Sequence, residues 1–277
     1  MAYNRSDFAN SVMRRIREFD DSIYLSKSAE YGNAAGSIRA SAAGAPAPMG
    51  HPDFAHLGIG ESGSRDAAVM FLDMRRFTAR SFWDPPEQVL RVNTAVVTEL
   101  AAAVQRHGGY VLGLRGDGVF ACFDGSSALG ARAAAGFAVV AGAFALDAVR
   151  NALNGLLAAS GIDPVQVRVG LDYGRLDFVR IGTPAGSEVN VLGFAANFAS
   201  KCEKHALSWE MVAGEGLAHN LPQQHVTHHD KSPAEYEHLG ERRVYRFYDV
   251  SWMSYLEHVP GVADALGGRP ASAVNVR

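Results

Sequence analysis

Two cysteines in 277 residues, Cys122 and Cys202, form no CxxC spacing. Their scarcity excludes a disulfide framework and a structural zinc site, and it fits a reducing compartment. A surplus of one charge is missing as well, because 26 basic residues face 29 acidic ones. No basic footprint argues for a nucleic-acid partner. The most apolar stretch, from Ala133 to Leu146, is bounded by Arg132 and Asp147. It is too short and too rich in Ala and Gly to span a bilayer comfortably, and reads as a buried helix. The N-terminal residues scatter charges where a secretion signal needs an apolar run. The expected location is therefore cytoplasmic.

What the chain does contain is regular. Phe8, Val12, Ile16, Phe19 and Ile23 recur every three to four positions, which predicts an amphipathic N-terminal helix within residues 1–25, starting at Ser6 or Asp7. Residues 26–64 are small, polar and Pro-containing, the composition of a flexible linker. A main domain is expected over 65–252 and a loose tail over 253–277. Within the domain, Ala67 to Asp73 reads as a buried strand. Asp84, Pro85 and Glu87 read as the capped start of a helix that ends at the glycines after His107. A hairpin around Asp117 follows, then a long Ala-rich helix from about Ser126 to Ser160. The strand ending at Asp172 leads through a turn at Tyr173 and Gly174 to a second strand. A helix from Leu192 to His205, a strand near Met211 and a closing strand from Arg242 to Val250 complete the set. That order predicts an α+β layered fold with a largely antiparallel sheet.

Two acids, Asp73 and Asp117, each end a strand with a helix between them. Neighbouring strand ends can bring such acids together, and a carboxylate pair of that kind holds Mg²⁺ or Mn²⁺ on a triphosphate. The turn after Asp73, which carries Arg75, Phe77 and Thr78, offers backbone amides to phosphate oxygens at a helix start. Further along stand Asn190, Asn197 and Lys201; on a helix the last two share a face, one turn apart. Arg115 precedes Asp117 by two positions, so strand alternation would point both side chains to one face.

The segments Phe71 to Thr78, His107 to Gly118, Val167 to Gly174 and Gly193 to Lys201 together resemble the class III nucleotidyl cyclase catalytic domain over about residues 65–250. The resemblance implies a ferredoxin-like, palm-type layered sheet and a head-to-tail homodimer whose active sites lie between two chains. It implies two divalent ions, Mn²⁺ or Mg²⁺, on Asp73 and Asp117, with the Met74 carbonyl as a further ligand. Asn197 takes the place of the asparagine that positions the ribose. Lys201 stands where the family has a transition-state arginine, and Arg242 or Arg243 is a candidate second cation. The implied reaction is attack of the ribose 3′-hydroxyl on the α-phosphorus with loss of pyrophosphate.

Two positions depart from that family. Where purine cyclases carry their base-selecting pair, this chain has Gly113 and Asn190. Arg115 adds a rigid fork of donors beside the vacated position, and donors suit the O2 and O4 carbonyls of uracil or the O2 and N3 of cytosine. Phe71 is placed to pack against the ring. These features look like the pyrimidine cyclases of Pycsar antiphage systems. The resemblance implies conversion of UTP to cyclic UMP, read by a separate cyclic-nucleotide-binding effector. A cytidylate cyclase using Asn190 as an acceptor, a purine cyclase and a catalytically silent nucleotide-sensing domain are the alternatives. In a shared site Arg115 and Asp117 would serve different active sites of the dimer.

Overall fold

A computed structural model describes residues 3–31, 49–125 and 130–266. The chain opens with helix α1 (Arg5–Tyr31). Asn4 Oδ1 accepts the amides of Ser6 (2.8 Å) and Asp7 (3.2 Å), while Asp7 Oδ2 accepts the amide of Asn4. This reciprocal cap satisfies amides that have no partner inside the helix. Phe8, Val12 and Ile16 are buried, as their spacing predicts. The helix itself runs beyond the expected boundary at residue 25.

Strand β1 (Ser62–Arg75) is followed by the short helix α2 (Phe77–Trp83) and the long helix α3 (Pro86–Arg106). Asp84 does not cap α3 as expected. It ends α2, ion-paired with Arg80 at 2.7 Å, and Pro85 takes the cap position of α3. Strands β2 (Tyr110–Arg115) and β3 (Gly118–Asp124) form the hairpin. Helix α4 (Gly130–Ala148) passes through a π turn into α5 (Asn154–Ala159); the expected start at Ser126 lies outside the described residues. Gly130–Ala159 is long and apolar enough to cross a membrane, yet 78% of its most apolar window is buried inside the fold. It is a core helix, as its Ala-rich composition predicts.

Strand β4 (Gln166–Thr183) is one continuous strand, not two strands about a turn at Tyr173 and Gly174. Those residues pair with Ala68 and Ala67 in an unbroken antiparallel register with β1, from Ser62 opposite Val179 to Arg75 opposite Gln166. A long partner strand thus keeps extended a dipeptide that reads locally as a turn. Strand β5 (Gly186–Leu192) folds back on β4, and α6 (Phe194–His205) follows. Strand β6 (Met211–Gly214), the single turn α7 (Glu215–Ala218) and strand β7 (Val226–His228) come next. The expected closing strand is split at Arg246. Glu241–Tyr245 (β9) pairs with Ala234–His238 (β8) in a separate two-stranded sheet, and Phe247–Val250 (β10) joins the main one.

The main sheet has the order β2-β3-β1-β4-β6-β10-β7, with β5 on the second half of β4. Only the β4–β6 pair is parallel among the described strands. Alternation along β1 divides the core. Ala68, Met70, Leu72 and Met74 pack toward α1, α3 and α4; Ala67, Val69 and Phe71 face a second cluster with Phe120, Phe178 and the alanines of α6.

Both expected flexible ends are partly built into this body. In the stretch read as linker, Phe54 and Leu57 are buried, and Phe54 stacks on Phe178 with ring centroids 4.0 Å apart. Residues 32–48 of that stretch lie outside the described residues. In the expected tail, Trp252–His258 forms a 3₁₀ stretch and Val259–Leu266 a helix (α8), with Tyr255, Val259 and Leu266 buried. Phe54 and Leu57 hold the first segment, and in the second Val259, Val262 and Leu266 face the core at helical spacing.

Candidate active site

Strand register assembles one face of the sheet into two rows. Gly113, Phe120, Phe71 and Gly170 lie across β2, β3, β1 and β4; the next row is Arg115, Gly118, Asp73 and Arg168. Directly opposite residues share a face, so Phe71, Asp73, Gly113 and Arg115 all project to one side. A bulge between Val111 and Gly113 sets this register in β2.

Phe71 stacks on Phe120 with centroids 4.6 Å apart and planes 19° apart. Arg115 is exposed and folds back over its own strand, with Nε 3.8 Å from where a Cβ on Gly113 would stand. Its guanidinium makes no ion pair or hydrogen bond among the described residues, so no pairing with Asp117 explains it. A longer side chain at position 113 would compete for the space it uses.

The alternation expected between Arg115 and Asp117 does not hold. Gly116 and Asp117 form a two-residue hairpin turn, and Gly116 has φ +63°, a conformation that glycine adopts at least cost. Asp117 therefore projects from the turn, not from a strand face. The Met74 amide donates to the Asp117 carbonyl at 3.3 Å, which ties the turn to the end of β1. Burial first, and then the charge of Asp73, push the Asp117 carboxyl up to about 6. The two acids thus feel each other electrostatically, as a shared cation site requires.

Asp73 carries a partner that residue spacing does not show. Arg168, directly across from it in β4, places Nη2 2.9 Å and Nε 3.3 Å from Asp73 Oδ2. The same guanidinium contacts Glu203 of α6. Glu203 reaches the sheet because residue 170 is glycine: a Cβ there would overlap the α6 backbone at Ala199 and Glu203. Burial, followed by the Asp73 charge, pushes the Glu203 carboxyl up to about 7, with Arg168 acting against both.

The other expected residues divide among three places. Arg75 donates to the Ala206 carbonyl at 3.3 Å, joining the end of β1 to the end of α6. Phe77 packs against the core, Thr78 is exposed, and α2 begins after Arg76 at φ +61° with no side-chain cap on its amides. Asn190 is half-buried, and its side-chain oxygen accepts the Val191 amide at 2.9 Å. Its neighbours Val189 and Val191 face the second core cluster, so Asn190 points the other way. Asn197 and Lys201 are exposed on α6. At 3.6 residues per turn, Lys201 and Glu203 project about 160° apart. Within one chain the α6 pair and the Asp73 cluster therefore point in different directions.

Lys201 is held by a residue that spacing alone does not reveal. Its Nζ donates to Tyr236 Oη at 2.9 Å and lies 4.5 Å from the ring centroid. Across β8 and β9, Tyr236 faces Arg243, and Arg242 faces Glu237. Arg242 is paired with Glu235, whereas Arg243 is 84% exposed with a 3.4 Å contact to Glu241. Of the two, Arg243 is the one on the Lys201 side of the hairpin.

A family model described as the adenylate and guanylate cyclase catalytic domain matches residues 61–247. The chain is 28% identical over 197 residues to a cytidylate cyclase from Escherichia coli, covering 68% of this chain and 43% of that protein. It is 24% identical over 148 residues to an adenylate cyclase from Anabaena cylindrica, covering 53% of this chain and 29% of that protein. It spans less than half the length of these curated relatives. Among solved structures, an adenylyl cyclase from P. aeruginosa matches with TM-score 0.60 at 23% identity, over 69% of this chain and 95% of that one. A guanylyl cyclase structure matches with TM-score 0.57 at 21% identity, over 70% and 94%. At these identities the structural matches speak for the fold.

Proposed function

Because this chain belongs to the adenylate and guanylate cyclase catalytic domain family, we propose that it closes a pyrimidine nucleoside triphosphate, UTP in first place, into the 3′,5′-cyclic monophosphate. In that reaction the ribose 3′-oxygen bonds to the α-phosphorus, the bond to the β-phosphate oxygen breaks, and pyrophosphate leaves while the hydroxyl proton is lost. The observation that carries the base assignment is Arg115 lying over Gly113, exposed and without a hydrogen bond or ion pair among the described residues, on the sheet face of Phe71. It offers donors where purine cyclases place a longer side chain, and it narrows the space for a two-ring base. CTP is the second reading, favoured by the cytidylate cyclase relative. Asn190 Oδ1, the acceptor expected to meet a cytosine amine, also accepts the Val191 amide, which leaves one of its two lone pairs for that contact.

The residues present fit a divalent cation of the Mg²⁺ or Mn²⁺ class. Asp73 and Asp117 are hard oxygen donors whose charges oppose each other. No group of three or more His, Cys, Asp or Glu among the described residues forms a closed metal cage. Such an open two-carboxylate set, with the Met74 carbonyl beside it, suits cations that complete their shell with substrate phosphates. When bound, they would lower the pKa of the attacking hydroxyl and offset the charge of the leaving group. In this reading Arg75 and the amides of Phe77 and Thr78, at the start of α2, meet the phosphates beyond Asp73. Asn197 orients the ribose, and Lys201, with Arg243 nearby, meets the negative charge that develops there. The divergent directions of Asp73 and the α6 pair support a site completed by a second copy of the chain.

A panel of ATP, GTP, CTP and UTP with Mn²⁺ tests the reading, with cyclic UMP expected in excess. Predominant cyclic AMP or GMP would overturn the pyrimidine assignment. Nucleotide binding without pyrophosphate release would mark a sensing domain instead. The same reading gives the product a role in antiphage defence through a separate effector. Protection of infected cells should then be lost in Asp73→Ala, and protection that survives this substitution would refute the role.

A further inference from the structure

We infer that Tyr236 is the positioning residue that lets a lysine do the work of an arginine at the phosphates. The inference rests on the reading of Lys201 as the phosphate cation. An arginine brings a planar fork with two parallel donors, whereas a lysine brings a single charge on a flexible stem. An exposed lysine left to itself spreads over many rotamers and loses that freedom on meeting its ligand.

Tyr236 restricts this freedom in two ways at once. Its hydroxyl accepts one of the three ammonium protons at 2.9 Å, and the centroid of its ring lies 4.5 Å from the charge. One donor is thereby used and two are left, close to what an arginine fork presents. The ring attraction favours the ammonium without consuming a further donor.

The platform is itself fixed, although no strand pairing among the described residues joins its hairpin to the main sheet. Tyr236 and Tyr245 lie on the same face of β8–β9 and pack against Phe198 and its cluster on α6. The Tyr245 ring meets Phe194 at 4.7 Å and Phe198 at 4.5 Å. Its hydroxyl lies 3.2 Å from both oxygens of the buried Asp172 and accepts the Gly216 amide at 3.0 Å. A buried carboxyl group in β4 thus anchors the hairpin whose next aromatic residue holds Lys201.

Tyr236→Phe keeps the ring and removes only the hydroxyl. With the nucleotide identified by the panel, it should lower kcat about five- to tenfold and change KM less than about twofold, the scale of one ordinary hydrogen bond lost at the transition state. Its thermal midpoint should match the parent, which excludes unfolding as the cause. Lys201→Ala should cost more, and Tyr236→Phe added to Lys201→Ala should cost nothing further. An unchanged kcat in Tyr236→Phe beside a loss in Lys201→Ala would overturn the role of Tyr236 alone. An equal loss in the Lys201→Ala background would do so too, by marking Tyr236 as merely structural. Full activity in Lys201→Ala would overturn the reading of Lys201 and this inference together. The contact can also be read without turnover by mass-spectrometric amine labelling. Lys201 should label more slowly than Lys204 in the parent protein and speed up in Tyr236→Phe; equal rates in the parent would overturn the inference.

Discussion

Arg168 faces Asp73 across the β1–β4 pair, with Nη2 2.9 Å from Asp73 Oδ2, and the same guanidinium contacts Glu203. One cation thus serves two carboxylates whose side chains are only 23% and 8% exposed. Removing it leaves Glu203 buried without a counter-charge. Arg168→Ala should destabilise the fold by about 1–3 kcal/mol, because it removes the donor shared by two largely buried carboxyl groups and leaves Asp73 and Glu203 facing each other. Adding Glu203→Gln should recover part of the loss. Thermal unfolding of the two variants checks this, and a double variant no more stable than Arg168→Ala would contradict it.

Asp73→Ala and Asp117→Ala should each reduce pyrophosphate release to background, since neither carboxylate alone makes a site for two divalent ions. Appreciable activity in either would remove that acid from the site. If the active sites join two chains head to tail, mixing inactive Asp73→Ala with the weakly active Lys201→Ala should raise activity to about one quarter of the parent's. Half of the dimers are then mixed, each with one site of two intact. A mixture that gains no activity after subunit exchange would argue for sites contained within one chain.

Arg115 has no hydrogen bond or ion pair among the described residues to lose. Arg115→Ala should therefore leave stability within about 0.5 kcal/mol, as for an exposed side chain without a structural role. The preference for UTP over ATP, measured as the ratio of kcat/KM values, should fall at least about tenfold, on the scale of the donors withdrawn from the base. A variant that keeps its preference would mean that the guanidinium does not touch the base.

How much of this was legible beforehand depended on the range of the interaction. Asp73 at the end of a strand, and Asn197 with Lys201 one helical turn apart, follow from local periodicity. The buried face of α1 follows from it too. The Arg168–Glu203 contact does not, because it needs α6 to rest on β4 at Gly170, and no local pattern sets that approach. Alternation misplaced Asp117 because Gly116 takes a positive φ and ends the strand before the acid. The continuity of β4 was hidden for the opposite reason: Tyr173 and Gly174 look like a turn until fourteen consecutive pairs with β1 extend them. The helical residues 259–266 carry Pro260 and Gly261 in their first turn, which read locally as breakers, yet Val259 and Leu266 are buried and anchor them.

Asp172 supplies a pH-dependent test of the hairpin anchor. Fully buried, it is pushed by desolvation from the ordinary 3.8 up to about 7, against the opposing bonds from the Tyr173 amide and the Tyr245 hydroxyl. In the unfolded chain the carboxyl ionises at its ordinary value, while in the fold it keeps its proton until about pH 7. Folding takes up a proton between those two points, so this group stabilises the protein fully below about 4 and the contribution fades as pH rises to about 7. Above 7 both states are ionised and the dependence ends. Asp172→Asn retains an oxygen for the Tyr245 hydroxyl but cannot ionise. Its unfolding free energy should therefore fall less steeply than the parent's between pH 4 and pH 7, as read from urea titrations across that range. Parallel slopes in the two proteins would show that Asp172 is ionised throughout, and that the Tyr245 anchor is a charged hydrogen bond instead of a neutral one.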